Sequence, residues 1–217
     1  MKCAILTASA NHRPIEQPPI HYPEADYFCF SDNPPLNTVW KVGQFYDFSL
    51  DGHFRHRLNA KLYKVLSFFV VPDYDYYFWV DCTHTVKLPP REIIDTYLAN
   101  ADIAVFRHDE RDCVYQEAEK VKQLNYDYHD RVNVQVQYYR QTNYPERNGL
   151  YELPAFVYRN TPQIRALMLT WWEHIMRFSS RDQISFPYVC HKMGVKPAIM
   201  PGRARDLNDI MPWIRRI

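Results

Sequence analysis

An α/β domain with a mostly parallel sheet and helices on its faces is the fold class this sequence predicts. Three observations carry that expectation. Short runs rich in β-branched and aromatic residues alternate with segments of helical period. Several of those runs end in polar residues on their C-terminal side. And 217 residues, 47% hydrophobic and 16% aromatic, are enough to fill a core and too apolar for disorder. Residues 1–217 read as one domain, either whole or one unit of a longer chain.

The first predicted strand is Cys3–Thr7. Met1-Lys2 followed by CAILTASA imitates a secretory leader, but its apolar stretch is about half the length a leader needs, and Asn11-His12-Arg13 follows at once. Asp26–Phe30 is the second strand and Tyr76–Val80 the third. Between them Leu58, Leu62, Val65, Leu66 and Phe69 share the apolar face of one helix. Ile103–Phe106 is the fourth strand, and Val114, Ala118, Val121 and Leu124 mark the helix after it. Ala155–Tyr158 is the fifth, before a helix carrying Ile164, Leu167, Met168, Trp171 and Ile175. A last apolar helical run follows Arg181-Asp182-Gln183. The run Val65 to Val71 is broken by Ser67 and closed by Pro72, so no membrane span is expected.

Composition removes several function classes. Lys+Arg 26 against Asp+Glu 25 leaves a net charge of +1, without the basic surface that nucleic acids select, so any phosphate binding is local. The five glycines are too dispersed to write a P-loop, a dinucleotide fingerprint or a serine-nucleophile elbow. The five cysteines are odd in number and never in C-x-x-C spacing, which reads as reduced core thiols in a cytoplasmic protein.

Ligands of open α/β sheets bind outside the carboxyl ends of the strands. The first three predicted strands run out into Thr7-Ala8-Ser9, Ser31-Asp32-Asn33 and Asp81-Cys82-Thr83-His84. If these strands are neighbours, Thr7, Asp32 and Asp81 meet at one edge; singly, each Asp reads equally as a turn-former or helix cap. Asp81 closes an apolar strand, where an unpaired charge is costly to bury. A carboxylate there suits Mg²⁺ or Mn²⁺ held against a diphosphate, although Thr83 stands where a second Asp would be usual. Arg57, Lys61 and Lys64 form a cationic stripe beside the apolar face of their helix, either a solvated face or a wall that neutralises a pyrophosphate.

FRHDERD places His108, Arg111 and Asp112 in a loop directly after a strand, as substrate contacts or as solvated loop charges. In SSRDQISF, Ser180 or Asp182 makes an ordinary helix N-cap. Alternatively Asp182 is a general base or sugar-hydroxyl acceptor, positioned by Arg181 and flanked by Gln183. Helical period buries Trp171 and leaves Trp172 as the sugar-stacking candidate.

In order, ADYFCFSDN, R-x-x-x-K-x-x-K before PDYDYYFWVD, AVFRHDERDCVYQEA, YPERNGLYE, WWEHI and RDQISF resemble a plant, bacterial and viral family of GT-A type glycosyltransferase domains. The resemblance runs from Thr7 to Lys192 and implies a GT-A fold, a UDP-type nucleotide-sugar donor and transfer to a hydroxyl of a glycan or glycoprotein. It sets Asp81 at the metal-binding D-x-D position and leaves His191 as the C-terminal histidine available as a second ligand. It sets Asp182 toward the acceptor, as the base of an inverting reaction, and Thr7, Asp32, Arg57 and Lys61 around base, ribose and diphosphate. A Mn²⁺ or Mg²⁺ cofactor and a cytoplasmic place of action, the host's if the chain is viral, are also implied. Two readings from other classes stand beside it. One is a two-metal phosphodiesterase or nuclease on Asp81, Asp109 and Asp112; the other is a noncatalytic carbohydrate-binding module using the tyrosines and tryptophans.

Overall fold

The computed structural model describes residues 1–204 and 208–214; the parts of the 1–217 domain that fall on 205–207 and 215–217 lie outside the described residues. Seven strands form one sheet: β1 (Cys3–Ser9), β2 (Ala25–Ser31), β3 (Lys41–Gly43), β4 (Tyr76–Val80), β5 (Ile103–Arg107), β6 (Tyr151–Arg159) and β7 (Ala198–Met200). Their spatial order is β3-β2-β1-β4-β6-β5-β7. Every neighbouring pair is parallel except those made by β6, which runs against both β4 and β5. The seven helices among the described residues are α1 (Arg55–Val65), α2 (Ser67–Val70), α3 (Pro90–Tyr97), α4 (Val114–Gln123), α5 (His129–Gln141), α6 (Pro162–Arg177) and α7 (Asp182–Lys192).

Strand alternation divides the core between the two faces of the sheet. Ala4, Leu6, Tyr77, Trp79 and Phe156 meet helix residues such as Leu58, Ala118, Leu167 and Ile184 on one face. Cys3, Ile5, Phe78, Val80 and Val157 meet Ile93, Ile94 and Leu98 on the other. Because β1 and β4 are covered on both sides, they read as continuous apolar runs rather than alternating ones.

The structure corrects the sequence reading at one helix. The face assigned to Leu58–Phe69 belongs to two pieces, α1 and α2, broken at Leu66. The Ser67 hydroxyl donates back to the carbonyls of Tyr63 and Lys64, a local bond that competes with helix continuation, and Phe69 is left 75% exposed. The short edge strands β3 and β7 and the helices α3 and α5 carry weaker signals. In α5 only Val132, Gln135 and Tyr139 are buried, so its inward face shows a single aliphatic residue.

Gly43 ends β3 against the Phe30 ring, which itself stacks on Tyr63 at 4.2 Å. A Cβ there would lie 2.7 Å from Phe30 Cδ1 and closer still to Cε1. Gly43→Ala is therefore expected to cost about 1–3 kcal/mol by overpacking, seen as a lower denaturation midpoint at unchanged slope. A neutral result would mean the edge strand yields freely.

Topology assembles the site. Because β2, β1 and β4 are parallel neighbours, their C-terminal ends share one edge of the sheet, and antiparallel β6 brings its N-terminal end, Tyr151 to Leu153, to the same edge. No helix of the described residues is long and apolar enough to cross a membrane.

Candidate active site

A cleft of about 690 Å³ opens at that edge, between the exit of β1, helix α1, the ends of β4 and β6, and the start of α7. Of the residues singled out in the sequence, Asp81, Arg57, Lys61, Lys64, Arg181, Asp182 and Gln183 line it together.

Its floor is an ion cluster. Lys61 and Lys64 lie on neighbouring turns of α1 and place their Nζ atoms 2.7 and 2.6 Å from the same oxygen, Oδ2 of Asp182. All three side chains are nearly sealed from solvent. Asp182 is the first residue of α7, behind an extended Arg181 that provides no side-chain cap. The N-cap reading is thus corrected, because the carboxylate is engaged by the lysines instead. Burial works against the Asp182 anion, but Lys61, Lys64 and Arg181 outweigh it and hold the carboxyl well below the usual range. So strongly held an anion is a poor proton acceptor, which corrects the expectation that Asp182 is a base; its geometry suits holding two ammonium groups in place.

Asp182 alone does not balance two buried lysines, and the second carboxylate, Asp81, lies 3.8 Å from Lys64 only. Burial pulls Lys61 down to about 8, whereas for Lys64 the attraction of Asp182 and Asp81 overrides burial and raises it. From about pH 8 to the ordinary lysine value of 10.5, the unfolded chain holds a proton that folded Lys61 lacks, so this group makes stability rise with pH. Buried thiols, Cys3, Cys29 and Cys190 among them, pull the other way above pH 9 because burial raises them. The informative quantity is therefore the difference between wild type and Lys61→Met. Wild type should gain on the order of 2 kcal/mol relative to the variant between pH 8 and 10 in urea melts. Parallel curves would contradict the cluster's charge state.

Asp81 sits at the end of β4, its N–H bonded to the Pro154 carbonyl at 2.6 Å. Its Oδ1 accepts from Trp79 Nε1 at 2.8 Å and lies 3.8 Å from Lys64. Oδ2 has no hydrogen bond among the described residues, and the side chain is 43% exposed at the cleft. A cleft-lining carboxylate with one hard oxygen outside these bonds, beside two ammonium groups, fits an ion shared between a single carboxylate and substrate phosphates. Thr83, at the second position of the motif, is paired through its hydroxyl with His84 Nδ1 at 3.0 Å.

The far wall is cationic and braced. Arg57 donates to the Tyr126 carbonyl and, at 3.4 Å, to the Ser180 hydroxyl. Arg181 lies over the Tyr126 ring at 5.3 Å and donates from Nη2 to Gln183 Oε1 at 2.8 Å. Asp127, buried, accepts from the Ser180 N–H at 2.7 Å, the Ser180 hydroxyl at 2.6 Å and the Ser179 hydroxyl at 3.1 Å, which clamps the two segments of this wall together.

Other expected site residues fall elsewhere, each for a physical reason. Thr7 points to the opposite layer of the sheet, where its hydroxyl is buried without a hydrogen-bond partner among the described residues. Asp32 accepts from the N–H groups of Asn11 and His12 at 2.8 and 3.1 Å, holding two residues of positive φ in the loop after β1. His108 and Arg111 face Glu117: Arg111 Nη2 lies 3.0 Å from His108 Nε2, and its Nε is 2.9 Å from Glu117. Asp112 is exposed and uses its backbone carbonyl to receive Gly149 N–H. These three leave the same edge as Asp81, but β6 intervenes between β4 and β5 and moves them out of the cleft. Trp172 packs edge-on against Phe48 at 6.0 Å rather than lining the cleft. His191 is at the far end of α7, about 13 Å along the axis from Asp182, beside Asn148 and Tyr144. It therefore cannot share an ion with Asp81.

Arg13 and Glu152 line the cleft without having been singled out, and Asp127 braces it. Glu152 arrives through the reversed strand and Asp127 through a partner 53 residues away, so neither has a local signal; of the histidines in HFRH, which read as a weak metal pair, His56 lines the cleft and His53 does not. His108, Asp109 and Glu152 also bring one ligand-type atom each within 4.8 Å of one another. Arg111 and Arg203 already supply positive charge to that group. Asp109 and Asp112 do not join Asp81 in the cleft, so the acids of a two-metal nuclease site are not assembled.

An α/β sheet of mixed, mostly parallel strands with a lysine-lined, acid-marked cleft at its C-terminal edge defines a GT-A-like architecture. Residues 37–202 match the model of the family described as TOD1/MUCI70, glycosyltransferase-like domain, and the chain belongs to that family. It is 29% identical over 150 residues to a probable hexosyltransferase, MUCI70, of Arabidopsis thaliana; the match takes in 64% of this chain and 26% of the relative, so the chain spans about a quarter of that protein. Its fold is similar to that of mouse xyloside xylosyltransferase 1 in the apo form, with a TM-score of 0.53 and 11% identity, over 92% of this chain and 85% of the other.

Proposed function

We propose that the chain is a metal-assisted glycosyltransferase that moves a sugar from a nucleotide-sugar donor, of UDP type, to a hydroxyl of a glycan or glycoprotein acceptor. The observation that carries this reading is the pair Lys61 and Lys64, fixed on one carboxylate beside the half-exposed, cleft-lining Asp81. With Asp81 committed to a divalent ion, Lys61 and Lys64 share Asp182 as their one buried counter-charge, and a diphosphate is the anion that would supply the missing negative charge at the strand edge.

When bound at Asp81, Mn²⁺ or Mg²⁺ supplies Lewis-acid stabilisation of the departing diphosphate. Lys61 and Lys64 are preorganised for the same developing charge, since Asp182 fixes both ammonium groups before substrate binds. Trp79 holds Asp81 through its indole N–H. The Arg57–Arg181 wall is left to face the sugars. The reading places the reaction in the cytoplasm, the host's if the chain is viral, where a virus-borne glycoprotein is one acceptor class.

Incubation with a panel of UDP- and GDP-sugars in Mn²⁺ tests it. Release of the nucleoside diphosphate from one donor, accelerated by a glycan acceptor, is the expected result. No turnover of any donor, with cleavage of a phosphodiester instead, would overturn the reading.

A further inference from the structure

We propose that Arg57 and Arg181 form a carboxylate subsite, so that one of the two sugars joined in the cleft is an acidic sugar of the uronate class. The proposal rests on the transferase reading and starts from the charges that line the cleft. Asp182 is taken by Lys61 and Lys64. A divalent ion at Asp81 matches the two charges of a donor diphosphate, and Arg13, on the loop after β1, is exposed to solvent. Arg57 and Arg181 then remain, and neither forms an ion pair with a carboxylate among the described residues. Arg57 donates only to neutral oxygens, the Tyr126 carbonyl and the Ser180 hydroxyl. Among the described residues Arg181 donates only to the Gln183 amide, and its buried Nε–H has no hydrogen-bond partner there. Asp127, the acid of this wall, is taken up by Ser179 and Ser180.

Burial and the neighbouring Arg181 both disfavour the Arg57 charge, and together they outweigh the attraction of Asp127 and Asp182. Such a pair is stabilised by a shared anion, and a planar carboxylate matches the forked N–H geometry of guanidinium in a way that a spherical ion does not. Both are held in advance of binding: the Phe54 ring lies 4.8 Å from Arg57 and the Tyr126 ring 5.3 Å from Arg181. Arg57 stands one helical turn from Lys61, about 5–6 Å between Cβ atoms, so a sugar ring next to the diphosphate would bring its acid group to this wall.

The acid group can belong to the donor or to the acceptor, and calorimetry separates the two. UDP with Mn²⁺ is titrated first, to read the nucleotide site alone. Methyl glucuronide and methyl glucoside are then titrated into the protein loaded with Mn²⁺ and UDP, and UDP-glucuronate and UDP-glucose into the protein with Mn²⁺. Each pair differs only in a carboxylate against a hydroxymethyl group. A preference of about tenfold or more for the acid is expected in one arm. It should fall below about twofold in Arg181→Gln and return in part in Arg181→Lys, with the melting temperature of each variant confirming that it is folded. Preference in the glucuronide arm assigns an acidic acceptor, and preference in the nucleotide arm an acidic donor. No discrimination in either arm, with UDP bound, overturns the subsite. Failure of UDP to bind, with the glucuronide preference intact, overturns the transferase reading and keeps the subsite.

Discussion

Asp182→Asn should lower the melting temperature by about 6–20 °C, the equivalent of about 3–5 kcal/mol in a domain of this size. The change removes one negative charge and leaves Lys61 and Lys64 side by side in a nearly sealed space. Two consequences separate this cause from a general packing defect. The loss should be smaller at pH 9 than at pH 7, because Lys61, already depressed to about 8, escapes the strain by giving up its proton. A second change, Lys61→Met on the Asp182→Asn background, should restore part of the stability, since it removes one of the stranded cations. Calorimetric melts of the three proteins at both pH values decide the matter. A drop of less than about 3 °C, equal at both pH values, would show that the lysines do not depend on Asp182.

Asp81→Asn should act on function and leave the fold alone. Its side chain is half exposed, an amide oxygen can still receive the Trp79 N–H, and Lys64 keeps its closer partner Asp182, so the loss of stability should stay below about 1 kcal/mol, well short of that in Asp182→Asn. Donor turnover should fall by about 10²–10³, the range seen when one preorganised stabiliser of developing charge is removed. The residual turnover should no longer respond to Mn²⁺ or to a chelator. Metal dependence that survives the substitution would place the ion elsewhere, and the group His108, Asp109 and Glu152 would be the next position to test.

Much of this was legible in the sequence because the signals were local. Apolar runs bounded by polar residues gave β1, β2 and β4, and the single carboxylate closing FWVD marked the edge where the cleft opens. The stripe Arg57, Lys61, Lys64 was visible from helical spacing alone. What sequence could not carry was long-range geometry. The reversal of β6 slips a strand between Asp81 and the FRHDERD loop, and no residue in either segment announces it. The fate of Asp182 depends on lysines more than a hundred positions earlier, so a residue that reads locally as a cap or a base turns out to be the counter-ion of α1. Thr7 illustrates the period-2 rule: its neighbour Ala8 lines the cleft while Thr7 faces the other layer.

The central claim is that the Lys61–Lys64–Asp81 edge is a diphosphate site, and it is tested most directly by titrating UDP and uridine into the wild-type protein, each with Mn²⁺ and with chelator. The account predicts that UDP binds at least about a hundredfold more tightly than uridine, and that chelation weakens UDP by about tenfold or more while leaving uridine unchanged. Equal affinities for UDP and uridine, or no binding of UDP in either condition, would contradict it.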